Sequence, residues 1–138
     1  MSRREPEAYI AERVSGALDD QERVDAALSG GFAVLPQGGY ETRASGTMVG
    51  GAAVGSVGSA TDPYDIVLTN ERLLAFSGHD GPVSSPRFAC ERSSGHVVVV
   101  RRIAGWTWVS VVFHDRELRL LVGRRFREQL ARMAEALP

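Results

Sequence analysis

His79, His96 and His114, together with Cys90 and Asp115, are the residues of this chain best suited to hold a metal or to act as acid, base and nucleophile. Their spacing supports neither use. No CxxC, HxH or HExxH pattern places two ligands on one face, and each histidine falls at a predicted strand end or turn, where a solvated imidazole is the ordinary outcome. Ser77, His79 and Asp80 have the side chains of a hydrolytic triad but lack a GxSxG elbow. The residues therefore predict no enzyme, no metal and no cofactor. Cys90 is the single cysteine, so no intramolecular disulfide can form, and a reducing compartment suits the chain.

The arginines are the stronger signal. All 16 basic residues are Arg, which reads as the bias of a GC-rich bacterial genome, yet each still offers a planar, permanently charged fork. The net charge of −1 hides an asymmetry: Met1 to Pro86 carries 6 Arg against 12 acids, and Arg87 to Pro138 carries 10 Arg against 5 acids. Either the two parts neutralise each other within one fold, or the dipole docks a charged partner or a second copy. Arg124, Arg125 and Arg127 crowd the predicted first turn of a C-terminal helix, where cations cost ~0.3–1 kcal/mol each. Acids elsewhere, such as those of an N-terminal helix, would offset that cost. Alternatively, free backbone N–H groups and guanidinium forks form an anion site, which Arg101, Arg102 and Arg119 extend if they share its face. These six arginines are the candidate binding residues. Their partner is expected to be a protein or a second copy, with an anionic membrane surface as the alternative. Net negative charge and the absence of Lys argue against nucleic acid.

Two further features invite a binding reading. Trp106 and Trp108 share one face of a strand, which is core if it points inward, the favoured reading, and a docking surface if it points outward. The stretch from Gln37 to Pro63 holds seven glycines, among them Gly46, Gly50, Gly51 and Gly55 at the four-residue spacing of close helix packing. It has little side chain to pack and a large ordering cost. A long mobile loop over Ala44 to Ala60 is expected, with ordering on a partner as the functional alternative.

The elements that must position these residues are mainly strands. Ser2 to Glu5 reads as a capping box ahead of a short amphipathic helix carrying Tyr9, Ile10, Val14 and Leu18. Val24 to Leu35 is a first strand, bent at Gly30 and Gly31. Tyr64–Thr69 and Arg72–Ser77 form a hairpin around Asn70 and Glu71, and Arg87–Arg92, His96–Ile103, Trp106–Phe113 and Arg116–Val122 follow across short turns. From Arg124 the apolar positions Phe126, Leu130, Met133 and Leu137 make one helical stripe, with Arg124, Glu128 and Arg132 able to pair on another face. Regularly spaced antiparallel strands favour a barrel, and the helix would plug its open end.

The run Ile66-Val67-Leu68-Thr69-Asn70-Glu71-Arg72-Leu73-Leu74-Ala75-Phe76 resembles the second hairpin of bacterial PH-like (pleckstrin-homology) and GRAM-like domains, where an LTxxRLLxF pattern is common. The run from Phe113 to Leu120, followed by a helix, is similar to their last hairpin and cap. The resemblance covers about Glu22 to Leu137 and implies a mainly β fold: a seven-stranded PH-like barrel of two antiparallel sheets, with a C-terminal capping α-helix and a short N-terminal helix. Residues 1–20 are then a helical extension and 21–138 the domain, with a Gly-rich insert at about 37–63. Phosphoinositide-binding PH domains carry several bases in the first interstrand loop. Here Arg43 is the only one, so that activity is not carried over. The implied function is a non-catalytic module for protein–protein contact or self-association, the alternative being a peripheral membrane or anionic-ligand binder. A polar start without an apolar h-region, and the absence of any run near ~20 apolar residues, predict a cytoplasmic protein.

Overall fold

The computed structural model describes residues 6–34, 63–77 and 82–138. The expected capping box at Ser2 to Glu5, the stretch Ala44 to Ala60, and His79 with Asp80 lie outside them.

The chain runs α1 (Pro6–Arg13), a 3₁₀ turn, β1 (Val24–Val34), β2 (Tyr64–Thr69), β3 (Arg72–Ser77) and β4 (Phe88–Glu91). After a second 3₁₀ turn come β5 (Gly95–Ile103), β6 (Trp106–Phe113), β7 (Arg116–Gly123), a third 3₁₀ turn at Arg124–Phe126 and α2 (Arg127–Ala136). All strand pairs are antiparallel. The expected pair of separate sheets does not form. β1 has 11 residues and pairs on both sides, so the strands make one seven-stranded sheet in the order β4-β3-β2-β1-β7-β6-β5. Its first part, Val24 to Gly30, pairs with β2, and Gly30 to Val34 pairs with β7 across a register shift after Gly31. Gly30 is required there, because a Cβ would lie 2.2 Å from Leu120 Cδ1.

The sheet curls but is not closed by hydrogen bonds, since β4 and β5 are its two ends. The curl shows in contacts between strands far apart in the order. The Phe88 ring of β4 packs against Phe113 of β6 with centroids 5.8 Å apart, and α2 touches both β1 and β5. Inside the curl Leu28, Ile66, Leu68, Leu73, Leu118 and Leu120 build the core, while Phe76, paired with Asp65, is buried on the opposite face of the sheet. The stripe on α2 enters the core as the spacing predicts, with Phe126, Leu130, Met133 and Leu137 all buried. Ile10 of α1 and Val14 just after it are buried in the same hydrophobic cluster.

Two ionic groups fasten the N-terminal segment to the sheet. Arg13 Nη1 donates to Asp65 Oδ2 at 2.6 Å, and Nη2 donates to the Ser77 carbonyl at 2.7 Å. Asp65 also accepts from Ser29 Oγ, yet burial outweighs these contacts and holds its carboxyl above the usual range. At the other end of the sheet Glu22 accepts two bonds from Arg72, at 2.7 and 2.9 Å, and one from Thr69 Oγ1 at 2.6 Å. The Arg72 guanidinium is the main reason its pKa falls from 4.5 to about 2. A depressed carboxylate stabilises the fold above its unfolded pKa and loses that contribution as pH falls through the folded value. Urea midpoints should therefore fall between about pH 4.5 and about 2, and Glu22→Gln should flatten that slope. Asp65, raised by burial, acts in the opposite sense and cannot be the source of such a loss.

Candidate functional site

The alternation of β7 decides which side of the sheet faces out. Leu118, Leu120 and Val122 are buried and pair with Val111, Val109 and Thr107, which puts that set on the inner face. Trp106, Trp108, Ser110 and Val112 must then lie on the outer face. This corrects the reading of the tryptophans as core: Trp106 is 50% exposed and Trp108 half-buried. On the neighbouring β5, Val98 pairs with Ser110 and Ile103 with Trp106, so both also face outward. Val98, Val100, Ile103 and Trp106 are four of the five large hydrophobic residues exposed among the described residues, and they gather on β5 and β6.

Beside this stripe lies an open cleft of about 520 Å³. Its floor is the backbone of Gly30 and Gly31 on β1 and of Gly123 on β7. A Cβ at Gly31 would meet nothing within 4 Å, so the absence of a side chain there is what leaves the space open. Trp106 forms one wall, its ring against Gly123, and Leu121 and Phe126 complete the apolar lining. Among the described residues, the only charged ones on the cleft are Arg124 and Arg125. Both occupy the 3₁₀ turn that leads from β7 into α2, because β7 stays paired up to Gly123 and the chain must bend tightly to leave the sheet. Neither meets a carboxylate among the described residues. Arg124 folds against the β5–β6 turn, its Nη2 only 3.1 Å from where a Gly105 Cβ would sit, and the Arg125 guanidinium lies 5.2 Å from the Phe126 ring centroid.

The other four candidate arginines are placed differently. Arg101 pairs with Trp108 and shares the outer face, while Arg102 pairs with Thr107 and falls on the opposite parity. Arg119 is on the outer face, but its Nε donates to Glu117 at 3.1 Å. Ser110 Oγ donates to the same carboxylate, and these bonds, Ser110 first, hold Glu117 below the usual range. Arg127 begins α2, exposed and away from the cleft. Glu7 of α1 takes a different arginine, Arg132, at 2.7 and 2.8 Å, in place of an Arg132–Glu128 pair on one helix.

Of the described residues that first suggested chemistry, Cys90, His114 and Asp115 line a second hollow, and His96 is not among its lining. His96 Nδ1 sits 2.9 Å from the Pro138 carbonyl oxygen, and His114 is an exposed turn residue at φ 63°. In that hollow burial pushes the Cys90 thiol up, away from a reactive thiolate. Asp19, Glu22 and Glu71 cluster within 4.8 Å, yet both Glu22 oxygens are held by Arg72. Comparison with protein-family models, with curated proteins and with solved structures finds no match to this chain. No helix among the described residues is long and apolar enough to cross a membrane.

The cleft was not visible from periodicity, because Trp106, Gly31 and Gly123 come from three strands. One signal was present. The two-residue turn His114-Asp115 pairs Phe113 with Arg116, which counts Val111 opposite Leu118 and leaves the tryptophans facing away from the core.

Proposed function

We propose that the chain is a non-catalytic, PH-like interaction module of a bacterial cytoplasm that self-associates through the outer face of β5 and β6. One observation carries this reading. The exposed apolar side chains Val98, Val100 and Ile103 lie on β5, which ends the sheet, and Trp106 lies beside them on β6. An apolar patch next to an unpaired strand edge offers both hydrophobic area and free backbone groups to a protein partner. The register shift between Val99 and Arg101, with the charges of Arg101 and Arg102, blunts the end of that edge and leaves His96 to Val99 as the part able to pair. The PH-like assignment is supported by the resemblance of the Ile66 to Phe76 hairpin, by seven antiparallel strands and by the terminal helix on the core.

Light scattering over a range of concentrations tests the proposal. Wild type should exceed the single-chain mass of 14.9 kDa, and the Val98→Asp/Ile103→Asp double variant should return to it. Both positions are about half exposed, so the fold should lose no more than about 1 kcal/mol per site. Wild type at the single-chain mass throughout would refute self-association. A double variant that associates like wild type would refute the face.

A further inference from the structure

The cleft beside Trp106 has the composition of a small-ligand site. Its volume of about 520 Å³ falls within the range of about 300–1,000 Å³ usual for such sites. Its surface is mainly apolar, and no acid among the described residues lines it. Arg124 and Arg125 stand at its rim and meet no carboxylate among the described residues, in contrast to Arg13, Arg72, Arg92, Arg119 and Arg132, each of which meets one. Both guanidinium groups rest on the protein, one against the Gly105 turn and one over Phe126, which limits the ordering each would undergo on binding.

We propose that this cleft binds a small anion carried on a flat apolar group, an aryl phosphate or aryl carboxylate. The ring would lie on the glycine floor beside Trp106, and the anionic oxygens would accept from Arg124 and Arg125. Two arguments select this class. A bare anion leaves the apolar floor unused, and a neutral ring leaves two cations unmatched. The space over Gly31 also admits a planar group that a side chain at that position would exclude. The proposal stands apart from self-association and shares only Trp106 with it.

The test uses the full chain carrying Trp108→Phe, so that Trp106 is the only fluorophore of its kind. Phenyl phosphate should change Trp106 emission saturably, with an affinity about tenfold or more above those of inorganic phosphate and of phenol. Arg124→Gln/Arg125→Gln should weaken it by about tenfold or more through loss of charge-assisted bonds. Gly31→Phe, which fills the floor and keeps both charges, should weaken it by a similar factor. Circular dichroism checks that each variant is folded, and its light-scattering mass shows whether self-association is unchanged. Phenyl phosphate affinity that is unchanged in either variant overturns the proposal. So does inorganic phosphate binding as tightly as phenyl phosphate, which would reduce the site to its charge. Binding to phosphatidylglycerol vesicles without any response to phenyl phosphate also overturns it, and assigns the arginines to a membrane surface.

Discussion

Arg13→Ala should lower the free energy of unfolding by about 3–5 kcal/mol, the usual loss when one partner of a buried ion pair is removed. The cause is what remains behind. Asp65 keeps a carboxylate whose side chain is only 7% exposed, and its sole charged partner among the described residues is Arg13 at 2.6 Å. The same substitution removes the bond to the Ser77 carbonyl, so α1 loses its hold on both β2 and β3. The pH dependence identifies the mechanism. Burial already raises the Asp65 pKa, and without Arg13 it must rise further. A raised carboxyl favours the folded state below its folded pKa, so the deficit of the variant should shrink as pH falls from 7 toward 5. Urea midpoints at the two pH values measure this. A deficit below about 1 kcal/mol, or one that does not change with pH, would show that Asp65 is not carrying a buried charge. Replacing both residues by apolar ones of similar volume should recover much of the loss, because the desolvation of the pair largely cancels its attraction.

Leu130→Ala should cost about 2–5 kcal/mol and lower the melting temperature sharply. Leu130 is 4% exposed and lies one turn from Met133, which is fully buried. The helix they share touches β1 and β5, strands on either side of the β7–β6 pair. A cavity at Leu130 is therefore lined by fixed elements and cannot collapse by a small shift of α2. Arg127→Ala, on the exposed side of the same helix, should stay within about 0.5 kcal/mol of wild type. Equal, small losses at Leu130 and Arg127 would mean that α2 does not cap the core.

β2, β3 and β6 were readable to the residue, because each is an apolar run bounded by a two-residue turn. β7 was nearly so, since Leu118, Leu120 and Val122 alternate with charge. The stripe on α2 was equally legible, but its start was not. Arg124 and Arg125 form a 3₁₀ turn ahead of the α-helix, a choice made by the pairing of Gly123 with Trp106 on another strand. The same limit explains the tryptophans. Both faces of β6 are apolar, so its own pattern cannot select one, and burial of its partner on β7 does.

What the sequence determined alone was local: which segments extend, where they turn, and which stripe of the last helix is apolar. These follow from periods of two and 3.6 and from turn residues, all encoded within a few positions. What only the tertiary structure decided was every relation between distant positions. It joined β1 to both β2 and β7, and so made one sheet where two were expected. It matched Arg13 to Asp65 across 52 residues, and Arg132 to Glu7 across 125. It divided six candidate arginines, leaving Arg124 and Arg125 beside Trp106 over a floor of glycines. Such pairings depend on register and on the curl of the sheet, which are set by packing the whole core at once, and no window along the chain contains them.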